Sequence, residues 1–348
     1  MRFKRPKGGK SMKIMFLSRN DIEKVLDMKS TIEGVREVYR LKSLGMTAVW
    51  PLISYDFENP RGVMDIKSGC VFGENVHGLK MLNSFPGNAR RGLPVFTGVL
   101  MIFDSETGIP QGVMDASYIT CMRTGAAGAL GASLLARPES HRLFILGAGR
   151  QAMFQIAASL MLMPKIDAVR ISDPLDAGNA RSFAAQCRAR LLESFGIDAS
   201  GVSFEAAEDI EAALAESDIA ITVTPARTPV IKKEWVKPGL HLSCVGADMP
   251  GKEEIEPEIF RGARIFTDDT PQCLRCGELE LAAAKGVVSE KDVTGEIGGV
   301  IAGKIKGRTS PGEITIFDAT GIAMLDLVTG KKALELAKEK GLGQYVEL

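Results

Sequence analysis

The stretch Leu143-Phe-Ile-Leu-Gly147-Ala-Gly149-Arg150-Gln151-Ala152 constrains this chain more than any other. Four apolar residues make a short buried strand, the glycines turn the backbone, and Gln151 to Leu162 has the length and spacing of a helix. Gly147 permits the tight turn, Gly149 leaves room for a pyrophosphate, and Ala152 lets helix and strand pack closely. The unpaired amides at the helix start, with its dipole, favour an anion there. Small residues also fill tight turns for packing alone, so the motif by itself is weak. Here a second strand, Ala168 to Ser172, ends in Asp173, where a dinucleotide fold places the carboxylate that binds the adenosine ribose 2′-hydroxyl. Asp173 would repel the 2′-phosphate of NADP, and Asp173-Pro-Leu-Asp176 offers no arginine to neutralise it. The expected cofactor is therefore NAD.

Beyond Asp173 the pattern alternates. A helix is expected from Ala177 to Phe195, with strands at Val202–Phe204, Ile219–Thr224, Leu240–Gly246 and Arg264–Thr267. Such βα alternation gives a doubly wound parallel sheet whose ligands lie beyond the carboxyl ends of the strands. Those ends carry Gly147, Asp173, Thr224-Pro225, Val245-Gly246 and Asp248. The preceding part reads differently. Ser18 and Ser30 are the expected N-caps of two helices. Strand-like runs follow at Val49–Phe57, Val63–Val71, Val76–Ser84, Val95–Asp104 and Gly112–Met114, joined by Gly, Pro and Asn turns that argue for a mostly antiparallel sheet. A helix rich in Ala and Gly spans Asp115 to Arg137, and its small residues predict close approach to another backbone. A last strand, Glu313 to Phe317, and a helix, Thr320 to Lys340, are expected to rejoin the first part. The fold class is α/β: a Rossmann dinucleotide-binding domain over 139–310, and an α/β substrate and dimerisation domain over 12–138 completed by 311–348. Residues 1–11 read as a disordered basic leader.

Lys+Arg and Asp+Glu both number 43 in 348 residues. That balance suggests neither a nucleic-acid nor a membrane partner, and no apolar run approaches a membrane span. Six cysteines in a chain this long are not a disulfide framework, which points to the cytoplasm. Cys273-Leu-Arg-Cys276 stands alone. With only three histidines in the chain it reads as two thiols at a helix entrance rather than a metal site. The histidines read as packing residues.

The stretches Gly78-Leu-Lys80-Met-Leu-Asn-Ser-Phe-Pro-Gly-Asn88, Thr120-Cys-Met-Arg123-Thr124-Gly-Ala-Ala, Leu146-Gly-Ala-Gly-Arg-Gln-Ala152, Val245-Gly-Ala-Asp248-Met-Pro-Gly-Lys, Gly277-Glu-Leu and Phe317-Asp-Ala-Thr-Gly321-Ile-Ala-Met-Leu-Asp326 carry a resemblance. From Ile14 onward the chain resembles the ornithine cyclodeaminase/mu-crystallin family. The resemblance implies a two-domain homodimer with NAD(P) in the interdomain cleft. It also implies hydride exchange at the α-carbon of an amino or imino acid. Ornithine cyclodeaminase chemistry is the leading expectation. Amino-acid dehydrogenase, cyclic ketimine reductase and nucleotide-linked binding protein stand as alternatives, because a fold-level match does not choose among them.

By the same resemblance, Lys80 and Arg123 grip the substrate carboxylate, and Asp248 binds and helps deprotonate a distal amine. Gly147, Gly149, Arg150, Gln151, Asp173, Thr124, Thr224, Pro225, Val245 and Gly246 are expected to hold the cofactor. A lysine held in a pocket beside another cation can titrate low enough to move a proton. Many members carry an arginine just after the proline of the early strand, where this chain has Leu52. Either Arg61 replaces it, or Lys80 and Arg123 hold the carboxylate alone and the substrate differs from ornithine.

Overall fold

The computed structural model describes residues 12–347; the leader expected over 1–11 lies outside them. The first sheet is assembled from β1 (Lys13–Leu17), β2 (Thr47–Val49), β3 (Ile53–Phe57), β4 (Gly62–Val71), β5 (Val76–Ser84), β6 (Phe96–Asp104) and β7 (Pro110–Asp115). Helices α1 (Arg19–Val25), α2 (Met28–Ser43) and α3 (Ala116–Leu135) accompany it. Ser18 caps α1 in a capping box with Asp21. Ser30 does not cap α2. Asp27 does, its carboxylate accepting the Ser30 amide at 2.8 Å, because a carboxylate three residues earlier suits the free amide of the first turn. The single strand expected over Val49–Phe57 is broken into β2 and β3, and Pro51, which has no amide to donate to a ladder, sits in the break.

The second sheet and its helices follow as β8 (Arg142–Leu146), α4 (Arg150–Leu162), β9 (Ala168–Ser172), α5 (Ala177–Phe195), β10 (Ser203–Ala206), α6 (Ile210–Glu216), β11 (Ile219–Thr222), β12 (Arg227–Ile231), β13 (His241–Cys244), β14 (Glu253–Ile255), β15 (Arg264–Thr267), α7 (Thr270–Cys276), α8 (Leu279–Ala284), β16 (Val293–Glu296), α9 (Ile297–Ile301) and β17 (Thr315–Asp318). The chain closes with α10 (Ala323–Glu339) and β18 (Gln344–Glu347).

The first sheet runs β18-β1-β7-β6-β5-β4-β2, with β3 also on β4. All its pairings are antiparallel except β1 with β7. Strand β18 was not anticipated; it pairs with β1 although the two strands lie at opposite ends of the sequence. The second sheet runs β10-β9-β8-β11-β13-β17-β15-β16 and is parallel throughout. Its strand order reverses between β8 and β11, the switch point where such sheets bind ligands. The last strand, expected to belong with the first part from 311 on, is β17 and runs between β13 and β15. The return to the first sheet begins with α10, which packs on α2, β4, β5 and β6.

Helix α3 joins the two sheets. Asp115 caps it, and nearly every side chain along it is buried. A methyl group placed on Gly125 would lie 2.6 Å from the Phe154 backbone of α4, so only glycine permits this helix–helix approach. The Ala/Gly composition thus brings α3 against α4 on one side and β13 and β17 on the other.

Candidate active site

A cavity of about 540 Å³ lies between the inner face of β4 and β5 and the carboxyl ends of β11 and β13. Strand alternation sends Val63, Asp65 and Lys67 of β4 to the same face. The β4–β5 register sets Lys67 directly opposite Lys80 and Asp65 opposite Leu82. From α3 come Thr120, Cys121, Arg123 and Thr124; from the start of α4 come Arg150 and Gln151; from just past β11 and β13 come Thr224, Pro225, Val245, Gly246 and Asp248.

Lys80 is 1% exposed and its Nζ donates to Asp326 Oδ2 at 2.7 Å. Arg123 Nε donates to the other oxygen, Asp326 Oδ1, at 2.9 Å. Burial and the nearby Arg123 guanidinium push the Lys80 ammonium down to about 7, against the pull of Asp326. Burial alone would raise the Asp326 carboxyl, but Arg123 and Lys80 hold it below the usual carboxylate range. One carboxylate therefore orients two cations toward the cavity from behind.

Lys67 joins them by another route. Its buried Nζ donates to the carbonyls of Thr320 (2.8 Å) and Gly321 (3.0 Å). Asp268 fixes that loop, accepting from the Gly321 amide at 2.7 Å and from Thr320 Oγ1 at 3.1 Å. Gly321 has φ +77°, and a Cβ there would sit 2.2 Å from Arg123 Nη1, so only glycine lets the loop lie on the guanidinium.

On the opposite wall, Gly147 has φ +111° and its amide donates to Ser172 O at 2.7 Å, which closes the β8 turn against β9. Gly149 is the N-cap of α4, and a Cβ there would meet nothing within 4 Å, so the space before the helix amides is open. Asp173 stands just past the end of β9. Its carboxylate accepts from the Leu175 amide at 3.1 Å and from Asn179 Nδ2 at 2.7 Å. Gly147, Gly149 and Asp173 lie along the strand-end crevice rather than on the cavity wall itself. An open helix N-terminus beside a terminal carboxylate suits a dinucleotide.

Asp248 lines the cavity, with its side chain 42% exposed and Oδ1 2.5 Å from Lys252 Nζ. Burial against the cavity wall would raise its carboxyl, yet Lys252 and Lys67 hold it below the usual range. The structure does not bring Leu52 or Arg61 to the cavity. Leu52 is half-buried in the broken β2–β3 segment and Arg61 is exposed at the β3–β4 turn, both outside the row of inward side chains. Lys67 and Asp326 were not singled out in the sequence. The period-two row Val63, Asp65, Lys67 was a readable signal for the first, and a carboxylate in the first turn of an apolar helix for the second.

The remaining candidates are structural. Cys273 and Cys276 are buried on α7, and Cys273 Sγ donates to Asp268. His241 is fully buried between Thr315 and Ser243 hydroxyls, and burial pushes its imidazole down to about 3. Among the described residues no group of three His, Cys, Asp or Glu side chains is arranged to hold a metal, and no helix is long and apolar enough to cross a membrane.

The chain resembles known proteins over nearly its whole length. An alanine dehydrogenase from Archaeoglobus fulgidus is 38% identical over 336 residues, covering 97% of this chain and 99% of the relative. Among solved structures, an archaeal alanine dehydrogenase dimer with bound NAD superposes with TM-score 0.87 at 37% identity, covering 96% of this chain and 99% of that one. The Thermococcus litoralis Δ1-pyrroline-2-carboxylate reductase in complex with NADH and L-proline superposes with TM-score 0.88 at 30% identity, covering 96% and 100%. The family model of the ornithine cyclodeaminase/mu-crystallin family matches residues 12–341. The chain belongs to the ornithine cyclodeaminase/mu-crystallin family.

Proposed function

We propose that this protein is an NAD(H)-dependent oxidoreductase acting at the α-carbon of amino and imino acids, an amino-acid dehydrogenase or cyclic imine reductase. The observation that carries the reading is the cluster Lys80–Asp326–Arg123, facing the strand-end crevice across one cavity. NAD(H) bound along Gly147, Gly149, Arg150, Gln151, Asp173, Thr124, Thr224, Pro225, Val245 and Gly246 would supply or accept the hydride. Arg123 and Lys80 hold the substrate carboxylate by charge-assisted hydrogen bonds and so orient the α-carbon. Lys80, brought to about 7, holds a proton beside the substrate nitrogen and releases it near neutral pH.

Ring closure, as in a cyclodeaminase, would need Asp248 as acceptor for a distal amine. Its pairing with Lys252 makes it a weak base, which favours the oxidoreductase reading. Incubation with NAD and a panel of L-amino acids, following ammonia and NADH separately, tests both. A dehydrogenase releases the two together, and a cyclic imine reductase run backwards on L-proline gives NADH without ammonia; ammonia without net NADH would mean cyclodeamination, and no turnover either with the panel or with a cyclic imino acid and NADH would mean a binding protein.

The outer face of the first sheet supports a homodimer. Ile53, Ile66, Met81 and Val99 stand side by side in register across β3, β4, β5 and β6, and three of them are exposed. An apolar row of that kind on an open sheet face calls for a partner surface. Sedimentation of the wild type against Met81→Lys, expected to shift from dimer toward monomer, checks it.

A further inference from the structure

We infer that a second cavity, between α1, α3, α4 and α5, is a side entrance by which ammonia reaches the substrate cavity while the dinucleotide fills the strand-end crevice. The inference rests on the functional reading above, in its amino-acid dehydrogenase form, and gives one reactant its route.

The second cavity measures about 420 Å³. Its rim is exposed and made by Arg19 and Glu23 of α1, paired at 2.7 Å, and by Glu193 and Ser194 of α5. Inward stand the half-buried rings of Tyr118, Phe154 and Phe195, edge to face with centroids 5.7 and 5.4 Å apart. Met153 and Cys121, 2% and 3% exposed, follow. Cys121 and Arg150 line both this cavity and the substrate cavity, so they form the partition between the two. The helical turn explains the place of Cys121. On α3 it follows Ser117 and Tyr118, which line the second cavity, and precedes Arg123 and Thr124, which line the first. Of the residues proposed to hold NAD(H), only Arg150 also lines the second cavity. A cofactor in the crevice therefore covers one approach to the substrate and leaves the other open.

The charges along the route select what can use it. Lys67, Lys80, Arg123, Arg150, Arg227 and Lys252 line the substrate cavity against the carboxylates of Asp65 and Asp248, with Asp326 behind. Ammonium is repelled from such a space, and ammonia is not. A carboxylate taking the side route would be held on the way. The guanidiniums of Arg150 and Arg190 lie over the rings of Phe96 and Phe183 and have no carboxylate partner among the described residues. Burial pushes the Cys121 thiol up to about 11, against Arg150, Arg123, Arg19 and Lys80, so this part of the partition is uncharged. Ammonium thus leaves its proton with solvent at the rim. The free base passes Cys121 to the 2-oxo acid held by Lys80 and Arg123.

The test compares the full-length wild type with Cys121→Phe, which thickens the partition, and Ser194→Trp, which narrows the rim. Two reactions are followed by NADH oxidation. One is reductive amination of the fastest of a panel of 2-oxo acids at varied ammonia; the other is reduction of Δ1-pyrroline-2-carboxylate, which carries its own nitrogen and needs no ammonia. NADH affinity is measured separately by fluorescence. Both variants should lower kcat/KM for ammonia by about tenfold, with kcat/KM for the cyclic imine and NADH affinity within about twofold of wild type. Should Cys121→Phe fail to fold, seen as lost NADH binding, Ser194→Trp carries the same comparison. Unchanged kcat/KM for ammonia would overturn the entrance, because ammonia then arrives by another way. An equal loss for ammonia and for the cyclic imine would overturn it too, because the substitutions then act on the substrate cavity as a whole. A wild type that reduces the cyclic imine but takes no ammonia with any 2-oxo acid would overturn the entrance and leave the reductase form of the functional reading standing. Absence of both reactions would remove the functional reading itself, and this inference with it.

Discussion

The two walls of the cavity treat buried charge in opposite ways. On the proposed substrate wall, β4, β5 and α3 bring Lys67, Lys80 and Arg123 to the surface of the cavity, and Asp326 stands behind the last two. On the wall formed by the ends of β11 and β13 the buried charge is acidic and turned away. Glu254 of β14 accepts from Thr222 Oγ1 at 2.5 Å, the Thr224 amide at 2.6 Å, Thr224 Oγ1 at 2.8 Å and the Gly246 amide at 2.9 Å. One side chain thus ties together the two strand ends that carry Thr224 and Gly246 to the crevice. Behind it, Glu278 accepts the Glu254 and Ile255 amides, each at 2.7 Å, and Asp318 accepts the Leu279 amide at 3.0 Å. Burial raises all three carboxyls, Asp318 to about 8, and the amides and hydroxyls that donate to them offset part of that cost. The difference separates two tasks. Cations left short of counter-ions wait for an anionic ligand, whereas acids that accept from the protein's own amides and hydroxyls hold a shape.

Four measurements bear on that contrast. The largest effect is expected from Lys80→Met, which removes a charge-assisted hydrogen bond and the proton carrier together. Turnover should fall by roughly 10²–10⁴-fold, with NADH binding little changed; a variant that keeps more than about a tenth of wild-type activity would take Lys80 out of the reaction. Next is Glu254→Gln. An amide offers one acceptor oxygen where the carboxylate offers two, so the Gly246 or Thr224 amide loses its partner at a cost of about 1–3 kcal/mol. NADH should bind roughly tenfold more weakly, while KM for the acid at saturating NADH stays near wild type. If both constants move equally, the walls do not act separately.

The third measurement is the pH profile of kcat/KM for the acid, which reports the free protein. Lys80 carries its charge below about 7 and loses it above. Carboxylate binding should therefore weaken as pH rises through about 7, by roughly tenfold at most, because the Arg123 guanidinium still holds the carboxylate. A profile flat across that range would mean that Lys80 does not meet the carboxylate. The smallest effect is expected from Asp173→Ser. It should narrow the preference for NAD over NADP by a few-fold to about tenfold, through loss of the 2′-hydroxyl contact and of repulsion of the 2′-phosphate. Equal affinity of the wild type for both cofactors would break the assignment.

Legibility in the sequence differed between the walls for a physical reason. The proposed cofactor crevice, which continues from the second wall, is built from local signals: a strand, a glycine turn and a helix within Leu143–Leu162, then Asp173 at the end of the next strand. Parallel βα units place such strand ends on one edge whatever the loops between them do. Gly147, Gly149, Asp173, Thr224 and Gly246 could therefore be named before any coordinates. Glu254 could not, because β14 is three residues long and its carboxylate meets partners at 222, 224 and 246 only after the sheet has closed.

The chain's residues alone determined the parallel sheet, the antiparallel sheet before it, the close-packed α3 and the presence of Lys80, Arg123 and Asp248, since each is written in periodicity, turn residues or a contiguous motif. Tertiary structure decided which charges meet. Lys67 lies opposite Lys80 through a register that no local pattern specifies, and a shift by one residue would turn it outward. Asp326 reaches Lys80 and Arg123 across 246 and 203 residues. Leu52 and Arg61, plausible by their place in the sequence, fall outside because Leu52 lies in the break between β2 and β3 and Arg61 in the turn from β3 to β4. Strand β17 enters the second sheet rather than the first because the gap between β13 and β15 is where its apolar residues are buried on both faces. Contacts between distant segments exist only once the whole core has closed, and in this protein those contacts set the charge of the cavity.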